Sequence, residues 1–290
     1  MNIAPPAQPV RTSDGGRFVL DTLLIVVGVF VIAFLFAPVG MGGGMLFAPL
    51  LHYVADWPID ETLLAVSLVL TWSVSIGSGL RHRKEGIFDD TATKSALWGA
   101  ILGAILGVAI VNALGDDLDA VFKVLSVAML VWALRKTAKK MNTAPETESE
   151  EPEPSVGTIQ HLPLRMGAGV GGALSSVLGV GAGVIYVPVL QQSANLDPRR
   201  SIGSSLNIMM VVVPIAILAL LSTSPSGLMG TLGEQAAWFY ALPFVAYLGA
   251  TSGAKFGLKH ISTKNIMTVF MVLVAVVLVR YVIDVAGIML

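Results

Sequence analysis

Gly40, Gly42, Gly44, Phe47, Pro49 and Leu51 return as Gly179, Gly181, Gly183, Tyr186, Pro188 and Leu190, every member displaced by the same interval along the chain. Glycine is costly inside a helix, and proline there removes a backbone donor. The repeated stretch therefore marks two places where helical chain breaks. In lipid an unpaired backbone group is expensive, so such a break survives only where protein or a water-filled cavity covers it. Two equivalent breaks in an apolar chain predict a duplicated transporter whose broken segments meet near the membrane midplane around a solute.

The membrane setting follows from composition. The chain is 54% hydrophobic and 13% charged, against about 25% charged in ordinary soluble domains. A net charge of −1 supplies no basic field, so nucleic acid is not expected as a partner. The absence of cysteine excludes disulfides, thiolate metal sites and thiol chemistry. His52, His82, His161 and His260 have no metal-ligand spacing. No metal, no cofactor and no catalysis are expected.

Apolar runs fall at about 18–38, 45–54, 62–80, 94–114, 119–138, 165–178, 183–192, 202–222, 235–255 and 264–286. A full crossing takes about 20 residues, so 45–54, 165–178 and 183–192 are too short to span alone. These short runs flank the glycine breaks. The reading is all-α: two repeats, each a bent or re-entrant pair followed by three crossings. Residues 1–17 form a tail, 18–141 the first repeat and 163–290 the second. Between them, 142–162 carries alternating glutamates and prolines that cannot bury a core, as a linker would. Arg11 and Arg17 precede the first run in the manner of a signal peptide. That run is too long for a signal core and flows directly into the first break.

Charge bias orients the chain. Arg81, Arg83 and Lys84, then Arg135, Lys136, Lys139 and Lys140, alternate with Asp116, Asp117 and Asp119. If 165–192 dips in and returns to the same side, then Arg199, Arg200, Lys255, Lys259 and Lys264 also face the cytoplasm. By the same logic the first break dips from outside, both termini lie outside and the repeats are inverted. A full crossing by the first run remains open.

The duplication extends past the motif. Ala65–Leu68 matches Gly203–Leu206, setting Ser67 opposite Ser205, and Gly99, Gly103 and Gly107 match Gly249, Gly253 and Gly257. Such glycine ladders let helices approach closely, and packing accounts for them.

With these elements the sequence resembles the TauE/SafE group of sulfite and organosulfonate exporters, over about residues 18–286. The likeness rests on the glycine, aromatic and proline element at 40–49 and 179–188, the two halves of apolar spans, and the serine-bearing stretches. It implies transport of small sulfur-containing anions such as sulfite or sulfoacetate by a multi-pass membrane protein, in a bacterium at the inner membrane. Ala182 departs from the pattern where the first half has Gly43, so the two breaks need not serve the substrate equally.

Glycine-broken helices expose N–H groups at a positive helix end of roughly half an elementary charge. Two such ends could hold an anion without a buried cation. The candidate binding residues are Gly40, Gly42, Gly43 and Gly44, then Gly179, Gly181, Ala182 and Gly183. Ser67, Ser205 and Asn207 are the favoured side-chain donors among Ser67, Thr71, Ser73, Ser75, Ser204, Ser205 and Asn207. His52, just past the first break, is the candidate for proton coupling. Phe47, Tyr186 and Trp72 read first as packing. A passive anion channel stays open. So does an embedded enzyme or assembly factor, although no acid/base set or metal site lies within the spans. The lipid bilayer and a small anion are the expected partners, and self-association into a homo-oligomer stays open.

Overall fold

The computed structural model describes residues 15–40, 42–142, 159–223, 230–233, 235–260 and 263–289. Most of the N-terminal tail and of the linker lie outside these residues, as do the packing of Gly257 and the side chains of Lys136, Lys139, Lys140, Lys259 and Lys264. Helices are α1 (Gly15–Phe36), α2 (Gly44–Val54), α3 (Glu61–Lys84), α4 (Asp90–Leu114), α5 (Leu118–Asn142), α6 (His161–Leu178), α7 (Gly183–Ser193), α8 (Pro198–Thr223), α9 (Leu242–His260) and α10 (Thr263–Met289). No strand occurs among the described residues.

Local chemistry explains the ends. Asp60 opens α3 by accepting from the Leu63 N–H at 2.9 Å, Asp89 opens α4 by accepting from Ala92 at 2.7 Å, and Asp197 accepts from Arg200 at 3.0 Å at the start of α8. Each satisfies an amide that the first turn leaves without a partner. One apolar run starts later than its sequence suggests. The run from 235 begins with a 3-10 turn over Ala237–Ala241, and α9 follows only at Leu242, where Pro243 is tolerated within the first turn.

The helices sort by exposure as lipid requires. Trp98, Leu102 and Leu106 cover the outer face of α4 and are more than 60% exposed. The span Glu61–Lys84 is mostly buried, whereas Val19–Val39 is mostly exposed. Among the described residues, the segments Val19–Val39, Glu61–Lys84, Asp90–Arg135 and Pro198–Thr223 are long and apolar enough to cross a membrane. α3 and α8 pack together at the centre. α9 packs on α3 and α4 on α8, while α1 packs on α9 and α6 on α4; α5 and α10 pair with each other.

Glycines set the closest approaches. A β-carbon at Gly99 would lie 1.9 Å from the Arg165 carbonyl oxygen, and one at Gly103 the same distance from that of Gly169. On the other side, one at Gly249 would meet the Phe30 oxygen at 2.6 Å and one at Gly253 the Phe34 oxygen at 2.1 Å. Both pairs of helices therefore run parallel, α4 with α6 and α9 with α1. The partners correct the ladder's register by one helical turn. Phe30 and Gly169 are separated by the same interval as the two glycine motifs, so Gly103 corresponds to Gly249 rather than to Gly253. A ladder of evenly spaced glycines has two equivalent alignments, and only the facing helix decides between them.

The breaks join hairpins of matching build. A β-carbon at Gly28 would meet Leu50, and one at Gly167 would meet Val189; both members of the second contact follow those of the first at the motif's own interval. The hairpins leave through left-handed residues at Asp56 (φ 57°) and Asn195 (φ 49°). Beside them Trp57 N–H bonds to Leu51 and Leu196 N–H to Leu190. Gln160 N–H donates to the Ser193 carbonyl at 2.8 Å, so the α6–α7 hairpin returns to the side from which it started. That side is shared with the α3–α4 turn, because Ser95 meets the His161 ring at 2.8 Å and the Asp89 N–H donates to Ser204. α9 starts on the opposite side, after α8 has crossed, and α1 runs parallel to it.

Candidate functional site

α1 ends in a 3-10 turn, Ala37–Val39, and Gly40 follows at φ 73° with its N–H on the Phe36 carbonyl. Gly42 (φ 73°) and Gly43 (φ 76°) complete the break before α2 begins at Gly44. Three left-handed residues in four make a turn that side chains would strain. The second break is simpler. Gly179 (φ 58°) caps α6, and its N–H bonds to Ser175. Ala182 then sits at φ −74° and opens α7, its carbonyl accepting from Ile185 and Tyr186 at 2.8 Å. Gly181 is not among the left-handed glycines, so the left-handed turn of this break lies at Gly179. Alanine is tolerated at 182 because this position has ordinary dihedrals where Gly43 does not.

The two breaks touch. A β-carbon on Gly44 would lie 2.5 Å from the Gly181 nitrogen, 2.6 Å from the Val180 α-carbon and 2.6 Å from Thr71 Oγ1. The contact sits inside protein, with Gly42, Gly43, Gly44, Gly181, Ala182 and Gly183 all buried. Two helix N-termini, each with amides that have no partner within the helix, thus converge in the interior. None of the backbone hydrogen bonds outside the helices takes its donor from these six residues, among the described residues. Residues 22–55, 62–80, 166–196 and 201–223 contain no Asp, Glu, Lys or Arg, so the converging positive ends have no fixed counter-charge in these segments.

The two favoured serines do come to the breaks, each to that of the other half. Ser67 donates to the Gly179 carbonyl at 2.6 Å and Ser205 to the Gly40 carbonyl at 3.3 Å. Leu64 lies under Gly179 as Ile202 lies under Gly40. Both hydroxyl protons are therefore engaged on helix-capping carbonyls in this conformation. They clamp the breaks to α3 and α8.

Asn207 donates to the Gly203 carbonyl of its own helix at 2.8 Å, while its Oδ1 is buried without a partner among the described residues. Ser73 and Ser75 bond to Val69 and Thr71 of their own helix. Ser204 holds the α3–α4 turn. His52 lies in the last turn of α2, with Nδ1 2.6 Å from the Trp57 carbonyl and its ring beside Tyr53. That places it at the hairpin exit, away from the junction. Trp72 donates to Met210 on α8, and the fully buried Phe47 and Tyr186 pack against Gly43 and Gly171.

Among the sequence-predicted donors, Thr71 is not one of the three favoured, yet it stands at the junction. It lies one turn past Ser67 on the same face of α3, which was the available signal. It is fully buried, and its Oγ1 has no hydrogen-bond partner among the described residues. Beside the junction, Met45, Ala48, Pro49, Leu178, Val180 and Tyr281 help line a cavity with room for about one water molecule.

The chain matches the family described as Sulfite exporter TauE/SafE over residues 24–281. It is also similar to a protein of Methanocaldococcus jannaschii described as a probable membrane transporter protein. The two are 25% identical over 268 residues, covering 87% of this chain and 95% of that one. No solved structure matches. An all-helical, multi-pass membrane protein with a buried glycine junction agrees with a transporter, and the chain belongs to the TauE/SafE sulfite exporter family.

Proposed function

We propose that the protein is a secondary transporter that exports small sulfur-containing anions of the sulfite and organosulfonate class, bound between the N-termini of α2 and α7. One observation carries this reading: Gly44 meets the Gly181 nitrogen in the protein interior, where two positive helix ends converge without a charged side chain in the segments around them. An anion is the natural occupant of such a junction. Gly40, Gly42, Gly43, Gly44, Gly179, Gly181, Ala182 and Gly183 form its backbone cradle, and Ser67, Ser205 and Asn207 its polar surround.

The contact between the breaks closes the route between them in this conformation, which favours an alternating carrier over a standing pore. Binding separates the breaks, and release of the Ser67 and Ser205 clamps frees their hydroxyls for the ligand. The two halves, 18–141 and 163–290, act as inverted repeats, each contributing one hairpin from its own side. The parallel pairing of α1 with α9 and of α6 with α4 supports this. We assign proton coupling to His52, the titratable group nearest the first break along the chain.

Uptake of labelled sulfite, sulfoacetate and sulfate into proteoliposomes, with and without a pH gradient, tests the proposal. Saturable uptake of sulfite or sulfoacetate is expected. Sodium-dependent cation uptake with no anion flux would reject it. A His52→Gln carrier that still responds fully to the pH gradient would remove His52 from the coupling.

A further inference from the structure

Gly42 is flanked by one side chain from each half of the molecule. A β-carbon there would lie 3.0 Å from Thr71 Cγ2 and 3.2 Å from Met209 Sδ. Thr71 and Met209 are as far apart in the chain as Ser67 and Ser205. They are equivalent posts on α3 and α8, occupied by a hydroxyl on one side and a thioether on the other.

Thr71 is unusual among its neighbours. Ser75 and Ser73 return their hydroxyl protons to carbonyls one helical turn back, as helical serine and threonine commonly do. Thr71 makes no such bond. Its Oγ1 is fully buried and without a partner among the described residues, 2.6 Å from the point where a β-carbon on Gly44 would stand, at the opening of α2. A buried hydroxyl without a partner is destabilising, so the position is spent on something other than packing. Met209 is also fully buried and offers a soft apolar surface with no donor.

The geometry points to Thr71 as the side-chain donor that orients the anion, and to Met209 as the apolar wall opposite. This rests on the reading of the break junction as the anion site and narrows its ligand. The oxyanion head lies on the Thr71 hydroxyl and the N-terminal amides of α2, and a short carbon substituent lies against Met209. A symmetric dianion such as sulfate would present an oxygen to the thioether and leave it without a donor. The site therefore takes short alkanesulfonates in preference to sulfate.

Binding of ethanesulfonate and of sulfate to the purified full-length chain in lipid nanodiscs tests this, with thermal stability measured alongside. The wild type is expected to bind ethanesulfonate more tightly. Thr71→Val should weaken that binding about tenfold, the loss of one hydrogen bond to a charged group. The same variant should be at least as stable as the wild type without ligand, because it removes an unsatisfied hydroxyl. A merely structural threonine would lose stability and affinity together. Thr71→Ser should keep the affinity, and Met209→Thr should shift the preference toward sulfate. Unchanged ethanesulfonate affinity in Thr71→Val, beside a wild type that binds, overturns the inference alone. A wild type that binds neither probe overturns the anion reading of the junction and this inference with it.

Discussion

The two breaks occupy equivalent places in the chain and solve the turn differently. The first uses three left-handed glycines, at 40, 42 and 43. The second uses one, Gly179, and lets Ala182 begin α7 as an ordinary helix-opening residue. What both keep is the contact face: Gly44 against Gly181, and a serine from the opposite half on each capping carbonyl. Turn geometry is thus free to drift between the halves, whereas the place where they meet is held by the need for bare backbone. The asymmetry continues at Thr71 and Met209, where the first half alone supplies a donor.

Substitutions that fill the contact should do the most damage. In Gly44→Ala the new methyl meets backbone at Gly181 and Val180, which cannot swing aside as a side chain can. We expect a loss of about 3 kcal/mol or more and no transport, read from denaturation in detergent and proteoliposome flux. A functional Gly44→Ala carrier of wild-type stability would break the claim that the breaks meet there.

Next come the reciprocal exchanges at the unequal position. Gly43→Ala places a β-carbon in left-handed backbone, 3.0 Å from the Phe47 ring and 3.2 Å from Ile32, and should cost about 1–3 kcal/mol. Ala182→Gly meets no such strain and should cost at most about 1 kcal/mol through chain entropy. Equal losses in the two would show that the breaks share one geometry after all.

The clamps sharpen the comparison further. Ser67→Ala removes the 2.6 Å bond and Ser205→Ala the 3.3 Å bond. Stability losses should follow that order, about 1–2 kcal/mol for the first and about 0.5 kcal/mol for the second. Thermal melts of the two single variants check this, and a larger loss at Ser205 would contradict it.

Much of this architecture is legible in the chain. Span length picks out α2 and α7 as too short to cross alone, but not their partner α1, which is long enough to cross. The hydrogen bonds at Gln160 and Asp89 bring the starts of α6 and α8 and the α3–α4 turn to one end of the bundle, the grouping that the charge pattern uses for one side. The site is less legible. Ser67 and Ser205 are recognisable as repeat-related, but periodicity gives a face and not a partner, so their crossing to the opposite break is invisible. Thr71 shares the face of Ser67, yet whether its hydroxyl bonds its own helix depends on packing that no residue pattern encodes. The ladder register fails for the same reason, since evenly spaced glycines fit one turn either way.

Passage of an anion between the two breaks is open to a direct test, because the sequence contains no cysteine. Met209→Cys, the sole thiol in the variant, would be labelled by a membrane-permeant maleimide in proteoliposomes that accumulate sulfoacetate. Labelling is expected to proceed as the junction opens and to be slowed by saturating sulfoacetate, while chloride leaves it unchanged. Labelling that is absent, or unaffected by sulfoacetate in vesicles that transport it, would place the anion's route elsewhere.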